Sequence, residues 1–454
     1  MRDIALLLLL AIGLAWTLRQ PWVGALMWTN VSLMSPHVQF GYHTAGLPVG
    51  TAVALATLVG LLLTRRKHNP LAGPPMWALL AFVLWICITL PFSIYFSESY
   101  PLWLRSMKIF LMLFVTAALI DDRRKLDAFI WVTVVSIGFY GIKGGLFTLA
   151  TAGNYRVWGP GGFIEGNNEV ALAVIAVIPL MRYLQTTLAN KWGRRAMGVA
   201  MALSAVMALG TYSRGALLGL AAMALILWLK TPGKLRWGFV LVLGGALILA
   251  FMPEHWWERM GTIRTYEEDS SALGRINAWW NAWYLALDRP FGGGFMIYFA
   301  DVFARYSPNP ERVHAAHSIY FQVLGEHGFV GLALFLLIGL LTWRTGTRLI
   351  AAARGAERHR WAGDLGAMAQ VSMSGFAAGG AFLSLAYFDL PYNVMLIVVL
   401  ALKFVRDEPS QAIAAVPTAQ PPRSGSLNAQ TPQAMRLQRA ALRPATRSVG
   451  PGLG

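Results

Sequence analysis

Apolar residues fill this chain in long continuous runs, and polar residues are confined mostly to short stretches between them. The runs fall at about 4–18, 22–36, 46–64, 75–96, 103–120, 126–150, 168–187, 194–211, 214–230, 236–252, 318–343, 366–387 and 391–405. Most approach the roughly 20 residues needed to cross a hydrocarbon core of about 30 Å. Backbone groups in lipid have no water to bond, so such a run is a helix unless it belongs to a closed barrel. None of the runs shows the period-two alternation of barrel strands. The pattern predicts an all-α polytopic membrane protein with about 12 (12–13) transmembrane helices. The first two runs are short, which leaves the exact count and the side of the N-terminus open.

The stretches between the runs set the orientation. Basic groups stand at 65–67, at 121–125, at Lys191 with Arg194 and Arg195, at Lys230 with Lys234 and Arg236, and at the arginines between 344 and 360. They alternate with poorly charged stretches, and the positive-inside rule assigns them to the cytoplasm. The stretches at 97–102, 151–167, 211–213, 253–317 and 388–390 then lie on the outer side. Four regions result: transmembrane helices over 1–252, a large periplasmic loop over 253–317, C-terminal transmembrane helices over 318–405, and a tail over 406–454. The tail is rich in Pro, Ala, Gln, Ser and Arg without an apolar period, and reads as disordered, basic and cytoplasmic. The opening MRDIALLLLLAIGLAW has the charged and apolar parts of a signal peptide but no small-x-small cleavage site, so it reads as a retained span.

Composition changes this picture little. With 56% hydrophobic and 13% charged residues, the chain is no ordinary soluble domain. The formal net charge of +17 belongs largely to topology-setting loops, and no nucleic-acid-binding motif accompanies it. The single cysteine, Cys87, lies inside an apolar run and forms no intrachain disulfide.

The large loop is where chemistry concentrates. Residues 253–317 hold six arginines (259, 264, 275, 289, 305 and 312), no lysine, and three of the eight histidines (255, 314 and 317). Arginine forks suit bidentate oxyanion binding, and a histidine beside them is a candidate proton acceptor near neutral pH. Within the loop, GRINAWWNAWYLAL spaces Ile276, Trp279, Trp280, Trp283, Tyr284 and Leu287 at helical intervals, which predicts an amphipathic helix at the membrane surface. Asp288-Arg289-Pro290 breaks it, and Gly292–Gly294 reads as a flexible turn. His314 and His317 form an i,i+3 pair that shares a face if the segment is helical, but no third ligand is local, so no metal is expected. No P-loop, nucleotide fingerprint or hydrolase elbow is present, and no cofactor is expected.

Charges within or beside apolar runs cost about 2.5–3.5 kcal/mol each on insertion scales, so their retention asks for a role. Arg105, Lys108, Lys143 and Arg214 qualify, all toward the outer face. Snorkelling to headgroups is the competing role for the first three. Asp389, in YFDLPYN, either orients a histidine or arginine or caps a helix started by Pro391.

Two motifs then carry a resemblance. His317-Ser318, nine residues, and Gly328-Phe329-Val330-Gly331 match the H-[NSQ]-x9-G-x-x-[GTY] signature of the O-antigen ligases (WaaL type), and Arg214-Gly-Ala-Leu-Leu218 matches that family's R-x3-L element. Gly274-Arg275-Ile-Asn-Ala-Trp279 resembles the arginine-containing loop segment of the wider ligase and polymerase superfamily. GNNEVAL at 166–172 is similar to its asparagine-containing segment. The N-terminal third, through YGIKGGLFTLATAGNYRVWGPGGF, resembles ligase-like proteins described as O-glycosylation ligases beside exosortase systems.

The resemblance implies a metal-independent, inverting glycosyltransferase in the bacterial inner membrane with its site on the periplasmic face. Its donor would be a preassembled glycan on undecaprenyl diphosphate, its acceptor a sugar hydroxyl of lipid A-core, with membrane lipids around both. His317 is then the general base with His314 second, and Arg214, Arg275, Arg312 and Arg264 bind diphosphate. Protein O-glycosylation and Wzy-type glycan polymerisation with the same donor remain alternatives. A lipid-linked sugar transporter is the non-enzyme alternative.

Overall fold

The structure is a computed structural model that describes residues 2–64, 67–261 and 270–407. Among these residues it is all-helical. The first helices are α1 (Arg2–Arg19), α2 (Pro21–Met34), α3 (Pro36–Phe40), α4 (Val49–Leu63), α5 (Pro74–Thr89) and α6 (Phe96–Leu119). The middle of the chain forms α7 (Arg123–Ala150), α8 (Asn167–Thr187), α9 (Lys191–Gly210), α10 (Arg214–Lys230) and α11 (Lys234–Ala250). The large loop contributes α12 (Glu254–Gly261), α13 (Ser270–Asp288) and α14 (Ala300–Tyr306). The chain then forms α15 (Ile319–Ala352), α16 (Arg360–Gly380) and α17 (Asp389–Asp407).

Every one of the apolar runs is therefore a helix. Five of the helices are long and apolar enough to cross a membrane: α5 with its 3-10 extension, α6, α7, α8 and α15. A sixth crossing results if the bent pair α11 and α12 counts as one span. The tail beyond Asp407 lies outside the described residues, as does Arg264.

Helices α8 and α17 form the centre. Val170–Val177 and Val394–Ala401 are buried almost without interruption, as expected of helices that are apolar on every side. Helix α10 reaches this centre by packing closely on α16. A Cβ at Gly219 would lie 3.0 Å from the Gly375 carbonyl oxygen, so small residues let the two backbones approach.

Helix α15 is broken in the middle. Gly328 has φ 70° and ψ −172°, a conformation essentially restricted to glycine. The break frees backbone carbonyls that lipid could not satisfy, and other segments cover them. Gly293 N–H donates to the Gly325 carbonyl at 2.9 Å, Gly294 N–H to Glu326 at 3.0 Å, and the Trp85 indole to His327 at 2.9 Å. The glycines at 292–294 are thus no flexible turn. They are a fitted plug, tied further by Ile94 N–H on the Gly293 carbonyl at 2.9 Å. A Cβ at Gly292 would meet the Glu326 oxygen at 2.4 Å, and one at Gly328 the Pro290 oxygen at 2.1 Å.

Candidate active site

Helix α13 organises the site. Its buried face is not the aromatic stripe but the small-residue face of Gly274, Asn277, Ala278, Asn281, Ala282 and Leu285. Trp280, Trp283, Tyr284 and Leu287 stay substantially exposed, whereas Trp279 turns inward and stacks on Phe321 at 5.0 Å. The Trp279 indole donates to the Ala316 carbonyl at 2.7 Å, which fixes the backbone beside His317. Asn277 clamps the preceding loop. Its amide donates to the Asn309 and Arg312 carbonyls at 2.8 and 3.0 Å, and its oxygen accepts from Asn309 N–H at 2.9 Å.

The histidine segment is not helical, so the shared helical face expected of His314 and His317 does not exist. The two rings nevertheless come together, with centroids 5.2 Å apart. His317 has φ 41°, in the left-handed region that histidine visits more readily than most residues. His314 packs edge-on against α13, where a Cβ at Gly274 would meet its Cδ2 at 2.9 Å. Its Nδ1–H donates to the Ala315 carbonyl at 2.8 Å.

Across from His317 stands Glu169, on the first turn of α8. Its Oε1 is 4.0 Å from His317 Nδ1, too long for a hydrogen bond and short enough to become one by a small ring rotation. The side chain of Asn167 anchors this turn by donating to the Thr211 carbonyl at 2.7 Å. The charge of Arg275 reaches both Glu169 and His317. Burial, then Arg275 and then His314 push the His317 imidazole down to about 4, so it is neutral at pH 7.

Arg275 and Arg214 line one cavity of about 300 Å³, together with Ser271, Leu218, Trp279 and Phe382. Arg214 is the first residue of α10. Its Nε donates to the Arg259 carbonyl at 3.2 Å, while Ser213 caps the helix by accepting from Ala216 N–H at 3.1 Å. A cavity with two guanidinium groups beside a neutral histidine and a carboxylate can hold a dianion and accept a proton next to it.

The remaining sequence candidates separate from this centre. Arg312 is exposed and joins the site through its carbonyl on Asn277. Arg105 lies over the Phe163 ring at 3.7 Å and faces Asp389. Asp389 accepts from the Ser32 hydroxyl at 2.7 Å, so its partners are a serine and an arginine rather than either site histidine. Lys108 is exposed on α6, and Lys143 lines a different cavity. Arg289 and Arg305 are taken up by the Phe92 carbonyl at 2.6 Å and by Asp288 at 3.0 Å. Sequence reading missed Glu169, whose one signal is an acid at the start of an apolar run in GNNEVAL.

Comparison with known families gives two matches. Residues 199–336 match the family described as O-antigen ligase, and residues 1–189 match a family of unknown function. No curated protein matches the chain. The site draws on both regions, since Glu169 lies in the first and Arg214, Arg275, His314 and His317 in the second. Residues 199–336 are thus similar to the O-antigen ligase family, which supports a protein of the O-antigen ligase type.

Proposed function

We propose that the chain is an inverting, metal-independent glycan ligase that uses undecaprenyl diphosphate-linked glycan as donor and a sugar hydroxyl of lipid A-core as acceptor. The observation that carries this is the convergence of Arg214 and Arg275 on one cavity beside His317 and Glu169. The acceptor oxygen attacks the anomeric carbon as the bond to the diphosphate oxygen breaks. The electron pair leaves with the diphosphate, and the arginine forks stabilise that developing charge. The acceptor proton passes to His317 Nε2, while Glu169 receives Nδ1–H and steadies the imidazolium. Free His317 is a weak base because burial first, and then Arg275, disfavour its charged form. A bound diphosphate offsets that arginine and raises the basicity when the donor is in place.

In this reading the chain crosses the inner membrane about 12 times, with residues 253–317 periplasmic and the C-terminus cytoplasmic. The test is donor consumption by purified protein in detergent with chelator present. Arg275→Ala should lower it roughly 10²-fold or more. Undiminished turnover in that variant sinks the assignment of the diphosphate site.

A further inference from the structure

A second cationic cavity lies apart from these groups. It measures about 450 Å³ and is lined by Lys143 of α7, Arg156 and Trp158 of the loop after α7, and Gln39 of α3. None of its lining residues is acidic. Neither Lys143 nor Arg156 has a carboxylate partner among the described residues. Two cations without carboxylate partners at one cavity give an anion two donors at once.

The loop that carries Arg156 is built, not loose. Val157 N–H donates to the Gly210 carbonyl at 2.9 Å, Gly159 N–H to Glu165 at 2.9 Å, and the Tyr212 hydroxyl to Gly153 at 2.6 Å. These bonds hold the Arg156 guanidinium between two aromatic faces, 5.8 Å from the Trp158 ring centre and 5.6 Å from that of Tyr212. Trp158 itself is 62% exposed and offers a flat apolar face beside the charges. Such a pairing suits a sugar ring that bears an anion: the ring's apolar face covers the indole while cations take the charged group.

This cavity stands back to back with the arginine–histidine site. Val170 lines it while the adjacent Glu169 faces His317, and both sites lean on the α9–α10 turn through Gly210 and Thr211. We infer that it binds the phosphate-bearing saccharide of the acceptor, with the phosphate between Lys143 and Arg156 and a sugar ring on Trp158. The acceptor role rests on the transferase reading above; the binding itself does not.

The test is equilibrium binding of a radiolabelled phosphorylated glucosamine disaccharide to the full chain in zwitterionic nanodiscs, with inorganic phosphate and the unphosphorylated disaccharide as separate arms. The Lys143→Gln, Arg156→Gln double variant should lose at least roughly tenfold in affinity. Trp158→Ala should weaken the disaccharide but not inorganic phosphate, and Lys143→Arg should restore binding and report an intact fold. Arg275→Gln should bind the disaccharide as wild type does. Unchanged affinity in the double variant overturns the proposal. So does loss in Arg275→Gln instead, which moves the anion to the other cavity. A site already filled by phosphatidylglycerol, shown by loss of saccharide binding in anionic nanodiscs, overturns it in favour of a lipid headgroup. The readout is binding and not turnover, so a failed transfer assay leaves this result standing, and the reverse holds.

Discussion

Replacing Gly328 by alanine tests whether the break in α15 is a designed feature of the site. The new Cβ would face the Pro290 carbonyl oxygen at 2.1 Å, at a backbone with φ 70° and ψ −172°. Holding a non-glycine residue there costs about 1–3 kcal/mol. Relieving the clash pushes the plug away and weakens the bonds from Gly293 to Gly325 and from Gly294 to Glu326, at about 1 kcal/mol each. The sum, about 3–5 kcal/mol, is a large part of ordinary folding stability. Gly339 is the matched control on the same helix, because nothing lies within 4 Å of a Cβ built there. Gly339→Ala should be neutral or stabilise by up to about 1 kcal/mol through helix propensity. Thermal unfolding of the two variants in one detergent reads the contrast, with Gly328→Ala falling by roughly 5 °C or more. Equal transitions would refute the argument that the plug and the break are fitted to each other.

Other outcomes follow from the same geometry. Asn277→Ala removes three bonds to the 309–312 loop and should cost about 2–4 kcal/mol, read by thermal unfolding. Trp279→Phe keeps the stack on Phe321 but loses the bond to Ala316, so kcat should fall about fivefold or more while donor KM barely moves. The acid limb of kcat/KM should lie near pH 4 rather than near 6.5, and the limb of kcat should lie higher because bound diphosphate offsets Arg275. Stability carries the same signature. Between about pH 4 and 6.5 the unfolded histidine binds a proton that the folded one refuses, so the His317 contribution is whole above 6.5 and is lost as pH falls toward 4. His317→Asn, which tolerates the left-handed backbone, should flatten that dependence.

The helices were legible because continuous apolar runs have one answer in lipid, and each run expected from the sequence is a helix. Arg214, Arg275 and His317 could be picked out as candidates from the sequence because arginine beside histidine near a membrane is a small set of chemistries. What escaped depends on partners distant in the chain. The histidine segment has helical spacing but is not helical, and its Ala316 carbonyl is taken up by Trp279, a residue in another element. The glycines at 292–294 look flexible until the broken helix that follows supplies their carbonyl partners. Asp389 was open to orienting a histidine or an arginine or to capping a helix, and its hydroxyl partner Ser32 lies 357 residues earlier. Glu169 was hidden for a related reason, since an acid opening an apolar helix resembles a helix-start residue until His317 is seen beside it.

The central claim is that His317 accepts the proton of a hydroxyl while the arginine cavity holds a diphosphate leaving group. Its most direct measurement is single-turnover transfer from an undecaprenyl diphosphate glycan to lipid A-core by wild type and His317→Asn, with chelator present. Peptide and a second lipid-linked glycan are offered as acceptors in parallel. The expected result is a shifted lipid A-core band from wild type and a loss of roughly 10²–10⁴-fold in the variant, with donor binding unchanged. Wild-type rates in a folded His317→Asn protein would contradict the claim, and wild-type transfer only to peptide or glycan would contradict the acceptor.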